Sequence, residues 1–553
     1  MTVNASSLSA SNWSPLRHRV FAVLWAATVV GNVGTFMSGV ASAWLVLELS
    51  ATPFALGLIQ AASTLPVLLL AIPAGVLADI LDRRRMLIGI QFFLAAVSAI
   101  LVYLASRHAL TVPLLVALTF LDGIGAAMMG PPWQAIVPDL VDRSELRAAV
   151  ALNSLGFNVA RAAGPALGGV VLAVAGPALT YAGDLVTYPL VLAALLWWRA
   201  PRQSADPLRE HFWGGLRAGI RFAIASPQIR AVLGRCSLFF TLASVAWALL
   251  PLVARKLLGG GPGFYGLMLG AAGAGAIAGA VILPLLRARL SVERVVLVAS
   301  AGLAIVLAAL GTAPPKWLAL ILMLLVGICW IAVLTTLNAT TQAVLAPWVR
   351  GRGLAIYLTV FNAAMTVGSL AWGAVAEFTG VASTLWISSG LLLASALLAP
   401  GLPLPRGDLD LQPANHWPEP SHLEADESTE GPVMVQVEYC VASAIRVRFL
   451  SLIHELGRSR KRDGAYDWGV AADPAHPEII VEWFRVASWN EHLRQHRRVS
   501  AADAALQARV LACHSGSRPP LVRHLISVPL ASPSVGAQPD LPGEAKRLAG
   551  DQT

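Results

Sequence analysis

Three charged residues, Asp122, Arg161 and Asp184, each interrupt an apolar run long enough to cross a bilayer. An acid or a guanidinium at the centre of such a run costs roughly 2.5 to 3.5 kcal/mol on insertion scales and rarely faces lipid. Each therefore marks a pathway or a fixed internal ion pair. Asp122 is the candidate to carry a coupling proton, with Arg161 as the charge that balances it; a permanent structural pair is the competing reading. Asp184 is the next candidate. Asn32, Asn158, Gln342 and Asn362 supply hydrogen-bonding groups that could line the same cavity or equally bridge neighbouring helices. Glu48 and Glu377 stand near the ends of their runs, where snorkelling to the interface accounts for them.

A second constellation is "GVLADILDRRR", Gly75 to Arg85, between two nearly uncharged runs. Gly75 permits close helix packing, and Asp79 lies where a neighbouring helix could offer it a positive N-terminus. Arg83 and Arg84 follow four and five residues later. The segment "RGRG", Arg350 to Gly353, opens another apolar run, so Asp79 is expected to dock on that helix start and on Arg350 or Arg352. In the segment that answers to it later in the chain, "PLLRARLSVER", no acid takes the place of Asp79.

Other chemistry is thin. His492 and His496 form HxxxH on one helical face, a spacing that suits zinc, but no third histidine or cysteine stands at a persuasive interval and the neighbours are arginines. No metal site is expected. Cys236, Cys329, Cys440 and Cys513 have no ligand-like spacing and read as free thiols. "GGGPGFYG" at 259–266 lacks the GK[ST] ending of a phosphate-binding loop, so neither nucleotide-driven work nor a cofactor is implied.

The elements that must hold these residues follow from hydropathy. Of 553 residues, 56% are hydrophobic and 13% charged, where soluble domains carry about 25% charged. Apolar runs fall at 20–47, 54–78, 86–106, 110–130, 148–175, 178–198, 229–256, 264–286, 293–312, 317–345, 354–378 and 382–400, the pattern of twelve membrane-spanning helices. The first run is far longer than a signal-peptide core, so an uncleaved start is expected. Arg and Lys crowd alternate loops, with only Arg107, Arg255, Lys256 and Lys316 on the other side, which places both termini in the cytoplasm of a plasma or inner membrane. This bias accounts for the net charge of +9 without nucleic-acid binding.

The runs divide at 199–228, the longest polar break and the expected central cytoplasmic loop, into halves at 1–198 and 229–400. Asn158, Gly164 and Gly169 recur as Asn362, Gly368 and Gly373, each 204 residues on, which is an internal 6+6 repeat. Gly164, Pro165, Gly168 and Gly169, with Gly368 and Gly373, are expected to pack and kink helices. Residues 401–432 read as a disordered linker, 433–530 as a small α+β domain of βαββαβ order and ferredoxin-like class, and 531–553 as a disordered tail.

The spacing of Gly75, Asp79, Arg83 and Arg84, between the second and third runs, resembles the signature loop of the major facilitator superfamily. Ile80 and Asp82 depart from it, since that family usually has a basic residue and a glycine there. "NVARAAGPALGG", "PPWQAIVPDLV" and "RGRGLAIYL", with "RDGAYDW" and "WNEHLRQHRR" in the soluble part, are similar to the enterobactin-exporter-like branch. The resemblance implies proton-coupled efflux of a siderophore- or drug-like molecule by alternating access, with a small organic substrate, protons and lipid as partners. The soluble part resembles antibiotic-monooxygenase-type dimeric barrels, which implies a pocket or a self-association face. The alternative class is a membrane-tethered enzyme or a sensor whose soluble domain carries the activity.

Overall fold

The computed structural model describes residues 13–50, 52–142, 144–198, 212–346, 349–398, 403–405 and 432–527. The expected linker at 401–432 and tail at 531–553 lie almost wholly outside them. The chain falls into two compact units, Met1–Gln412 and Pro413–Thr553.

Among the described residues the first unit is built of helices. Its elements are α1 (Arg19–Leu49), α2 (Pro53–Ile80), α3 (Arg83–Ser106), α4 (Val112–Ile136), α5 (Leu146–Leu185), α6 (Thr187–Trp197), α7 (Phe212–Ala225), α8 (Pro227–Ala243), α9 (Val245–Ala248), α10 (Leu250–Leu252), α11 (Pro262–Arg289), α12 (Val292–Gly311), α13 (Lys316–Val344), α14 (Arg350–Thr379) and α15 (Val381–Leu397). Among the described residues ten helical runs are long and apolar enough to cross a membrane. One of these, Ala148–Trp197, is a run of 50 residues that joins α5 to α6. Gly176 breaks it, with φ 78° and ψ −179°, a conformation that a residue bearing a Cβ adopts only under strain. Helix α7 lies within the stretch expected as the central loop; its apolar residues recur at helical spacing but are too few to form a membrane span.

Lipid offers no hydrophobic drive to bring helices together, so close packing needs residues small enough for backbones to meet. A Cβ on Gly164 of α5 would lie 2.7 Å from Phe36 Cβ of α1, and one on Gly168 would lie 2.7 Å from Met37 Cα. On the other side of α5, a Cβ on Gly169 would lie 2.8 Å from Gly266 Cα of α11, and one on Gly266 only 2.5 Å from Pro165 O. Helix α14 does the same with other partners. Gly368 abuts Thr241 and Ser244 at the end of α8, whereas Gly373 meets Gly57 of α2, whose own Cβ would lie 2.5 Å from Ser369 O.

These seams gather towards the end of the bundle poor in arginine. There Arg255 Nη1 donates to Leu47 O at 3.4 Å, and Trp44 of α1 stacks on Tyr265 of α11 at 6.0 Å. Thr64 of α2 and Thr366 of α14 share a hydroxyl hydrogen bond of 2.7 Å nearer the middle.

The second unit comprises β1 (Val433–Cys440), α16 (Arg446–Asp463), β2 (Asp467–Ala472), β3 (Ile479–Val486), α17 (Trp489–Arg498), α18 (Ala501–Leu511) and β4 (Leu521–Ile526). The strands form one antiparallel sheet in the order β2-β3-β1-β4, with Val435 opposite both Phe484 and His524. Alternate residues of β1, Val433, Val435, Val437 and Tyr439, join the core with Phe449, Leu452, Ile453 and Leu456 of α16. Glu482 is wholly buried on the same face. It is satisfied by Arg460 Nε at 3.2 Å, Trp468 Nε1 at 3.0 Å and Tyr439 OH at 3.2 Å, the condition under which a buried charge is tolerated.

The tightest seam joins α11 to α13: a Cβ on Gly327 would sit 1.9 Å from Ala272 O, while one on Gly390 of α15 meets nothing within 4 Å. Overpacking against backbone costs about 1 to 3 kcal/mol or more. Gly327→Val should therefore abolish the folded, monodisperse protein in detergent or lower its melting temperature by several degrees, and Gly390→Val should leave both unchanged, as measured by fluorescence-detected size exclusion after heating.

Candidate functional site

The arginines of "GVLADILDRRR" act locally. Arg83 donates from Nη1 to Ala135 O of α4 at 2.9 Å and stands 3.7 Å from Asp139. Arg84 donates to Leu195 O and Leu196 O of α6 at 2.7 and 2.8 Å. Both place a cation on carbonyls that a helix C-terminus leaves unpaired, where the helix dipole favours positive charge. Asp82, the departure from the family pattern, is the N-cap of α3 and accepts Arg85 N–H at 2.8 Å. Gly75 has open space around it. Asp79 is in the last turn of α2, but its side chain lies outside the described residues, so its docking on α14 remains a proposal. Arg350 is exposed, whereas Arg352 packs beside Gly219 of α7. Glu293, near the end of the answering segment, provides a different lock: it pairs with the buried Arg235 of α8 and accepts Leu404 N–H at 3.0 Å.

Deeper in the bundle, Arg161 of α5 does not pair with Asp122. Its guanidinium lies over the ring of Trp247 in α9, 5.7 Å from the centroid, a distance at which cation and ring attract. Trp247 opens an aromatic cluster on the later helices: Trp247 on Trp330 at 5.2 Å, Trp330 on Phe240 at 5.0 Å, and Phe240 on Phe361 at 4.6 Å. The indole Nε1 of Trp247 is buried and has no partner. Nothing in the spacing of Arg161 and Trp247, 86 residues apart, announces this meeting.

The polar candidates separate. Asn158 and Asn362 both donate to the carbonyl four residues back, Ser154 O and Leu358 O, each at 2.8 Å, and Gln342 donates to Asn338 on its own helix at 2.7 Å. These amides serve their own helices instead of sharing one cavity. Asn32 does line a cavity of about 30 Å³, together with Gln91, Trp133, Thr187 and Tyr188, between α1, α3, α4 and α6. Asp184 is buried behind it, accepting hydrogen bonds at Oδ2 from Ser98 at 3.2 Å and Tyr188 at 3.1 Å.

The family model described as transmembrane secretion effector matches residues 10–533. The chain belongs to this branch of the major facilitator superfamily. It is 26% identical to the multidrug efflux pump Tap of Mycolicibacterium fortuitum over 401 residues, covering 70% of this chain and 96% of Tap. It is 27% identical to the staphyloferrin A transporter of Staphylococcus aureus and 33% identical to the enterobactin exporter EntS of Shigella boydii, over 64% and 43% of those proteins. The chain thus matches less than two thirds of the length of these two relatives. The fold is like that of the D-xylose-proton symporter, with a TM-score of 0.57 at 15% identity, over 71% of this chain and 99% of the symporter. A bacterial Spinster homologue in an inward-facing state gives 0.56 at 15%, over 70% and 97%. Family and fold are those of secondary transporters, not of enzymes.

In this family member's second unit, the fold gathers a third histidine that sequence spacing hides. His492 Nε2 lies 3.1 Å from His496 Nε2, and the rings of His492 and His524 are 4.8 Å apart, because β4 runs beside α17. Elsewhere, His18, Asp142 and Glu145 bring three ligand atoms within 4.8 Å; His18 Nε2 and Glu145 Oε2, 2.6 Å apart, tie the start of α1 to that of α5. Burial, reinforced by His496 and His524, lowers His492 to about 3. An unfolded chain takes up that proton near the ordinary value of 6.5. Between these values the unfolded state binds more protons, so stability rises with pH and is lost as pH falls. Hydrogen exchange of the α17 amides in the intact protein should show opening made easier by roughly 1.4 kcal/mol per pH unit below 6. His492→Phe should remove that increment; an unchanged slope would contradict the assignment.

Proposed function

We propose that the chain exports an anionic or zwitterionic aromatic molecule, siderophore- or drug-like, in exchange for protons by alternating access. The observation that carries this reading is the Arg161–Trp247 contact. It sets a guanidinium from the first group of helices on the aromatic wall of the second, and together they suit a planar ligand bearing negative charge. Substrates named for the relatives, a siderophore for two of them and multiple drugs for Tap, agree with such a site. Asp122 is the proton carrier in this scheme. With the carboxyl neutral or charged, the bundle would favour different orientations of its two groups.

The internal symmetry supports twelve helices in two groups of six. Counting Ala148–Trp197 as two spans at Gly176, and adding the shorter Val381–Leu397 to the ten, gives twelve. Gly164 and Gly368 each pack their helix on the first helix of their own group, while Gly169 and Gly373 each pack it on the second helix of the other group. In this frame both termini are cytoplasmic, and the seams at the arginine-poor end close the outside, leaving the cytoplasmic side open. Asp79 would latch onto α14 and Arg350 or Arg352 when that side closes. The β1-α16-β2-β3-α17-α18-β4 order supports a ferredoxin-like class for the soluble unit. Its edge strand β4, with Leu521, Val522 and Leu525 about half exposed, favours pairing with a second copy.

Everted membrane vesicles test the reading, with a zwitterionic fluoroquinolone and a catecholate siderophore as probes. Wild type should accumulate at least one probe when the interior is acid and lose it when the gradient is collapsed; uptake indifferent to the gradient would overturn proton exchange. Asp122→Asn should remove the dependence on the gradient. Arg161→Gln should raise KM for an anionic probe by roughly tenfold, the scale of about 1.4 kcal/mol expected for a desolvated cation–π contact. Asp79→Asn should slow transport in a folded, inserted protein, and unchanged transport would defeat the latch.

A further inference from the structure

Asp184 is 2% exposed, and its two carboxyl oxygens are treated unequally. Oδ2 meets the hydroxyls of Ser98 and Tyr188. Oδ1 is buried with no partner; a Cβ on Gly34 of α1 would come within 2.9 Å of it. A carboxylate shares its charge over both oxygens, so an ionised Asp184 would leave half a charge in apolar surroundings without a donor. The neutral acid fits the same cage. Oδ2 then carries the hydrogen and donates it to one of the two hydroxyls, and Oδ1 remains as a bare carbonyl, the form that tolerates an empty second position.

The route by which that proton exchanges is built into the same helices. Tyr188 stands between Asp184 and the cavity, its hydroxyl 3.1 Å from Oδ2 and its side chain part of the cavity wall. The cavity extends along α1, α3, α4 and α6 from Tyr188 past Gln91 and Asn32 to Leu87, Trp133 and Leu195, which lie near the arginine-rich ends of their helices. Gln91 is 4% exposed, donates Nε2 to Met129 Sδ at 3.2 Å, and has an Oε1 that is buried and has no partner. The wall is mostly apolar but carries Asn32, Gln91 with its unpaired acceptor, and Tyr188 around a space with room for water, and these polar groups are what would hold it. The Arg161–Trp247 contact involves none of the residues that line this cavity.

We propose that Asp184 is a proton-binding carboxyl, served through Tyr188 by water in the cavity between α1, α3, α4 and α6, along a path separate from the substrate's. In the transfer a cavity hydronium gives its proton to the Tyr188 oxygen as the Tyr188 hydroxyl hydrogen passes to Oδ2; one O–H bond forms for each that breaks, and water is left behind. The titratable groups that face this site are Asp122 on α4, which acts on Asp184 through space, Tyr188 itself, and Tyr181, whose hydroxyl is occupied by Ser42 at 3.0 Å. The coupling role of the site rests on the antiport reading, whereas its existence does not.

Infrared spectroscopy of the full-length protein in lipid, at neutral pH and during transfer to D2O, tests the site without a substrate. Wild type should show a protonated carboxyl band that shifts on deuteration. A component of the band should be lost in Asp184→Asn and retained in Asp122→Asn, which removes any component of its own. In Tyr188→Phe, which removes a single oxygen, it should remain but move in frequency and exchange several-fold more slowly. A carboxyl spectrum in Asp184→Asn identical to wild type, or an Asp184 component that exchanges in Tyr188→Phe as fast as in wild type, would overturn the proposal. Uptake of a zwitterionic fluoroquinolone and a catecholate siderophore driven by a pH gradient, in the same vesicles, judges the antiport reading separately: uptake of neither together with an exchanging Asp184 band would fail that reading and leave the site standing.

Discussion

Backbone meets backbone where α5 crosses α11 and where α2 crosses α14, and the rest of the transmembrane unit depends on those two seams. In lipid nothing forces helices together except packing and polar contacts, so the join between groups is as strong as the closeness of approach allows. Gly169 on Gly266 and Gly57 on Ser369 and Gly373 allow that approach. Joins of this kind bury little that is side-chain specific. They can pivot with small loss, which a transporter with two faces requires, while the denser α11–α13 seam, with Gly275 and Gly327 seated against opposing carbonyls, holds a group rigid.

On that frame the charges divide their labour by position. At the arginine-rich ends Arg83 and Arg84 cap neighbouring helices and Arg235 holds Glu293, so these residues stiffen groups of helices instead of bridging them. In the interior Arg161 reaches from α5 to Trp247, where binding a ligand could replace one cation–π contact with another. Asp122 of α4 and Asp184 near the end of α5 lie within electrostatic reach of each other. In the proposed scheme proton binding lies against α1, α3, α4 and α6 and ligand recognition against α9 and α13, with Asp184 and Arg161 both carried on α5.

Much of this was legible in the sequence, for physical reasons. Hydropathy must match the bilayer over a whole span, so the apolar runs fall on helices, ten of them long enough to cross a membrane among the described residues, and the 204-residue offset that links Gly164 to Gly368 and Gly169 to Gly373 has a structural counterpart in matching contacts. Long-range pairings were not legible. Arg161 was expected beside Asp122 because both are buried charges, yet an aromatic face satisfied it instead, and no local signal points to a tryptophan 86 residues away. His524 stayed hidden because strand order, not spacing, brings it to His492. Helix α7 was concealed in a polar break because a short amphipathic helix has too few apolar residues to stand out. Asp82 departs from the family pattern, yet its place before Arg85 is that of an N-cap.

Pivoting about the two seams is tested most directly by paired spin-label distances in a chain with its four cysteines replaced. One pair, at Ser144 and Arg289, reports on the arginine-rich ends of α5 and α11; the other, at Ala175 and Gly261, reports on their opposite ends. Between acid and alkaline pH, alternating access requires the two distances to change in opposite senses, one shortening as the other lengthens. Distances that both stay constant, or that both grow together, would contradict a rocking transporter hinged on these glycines.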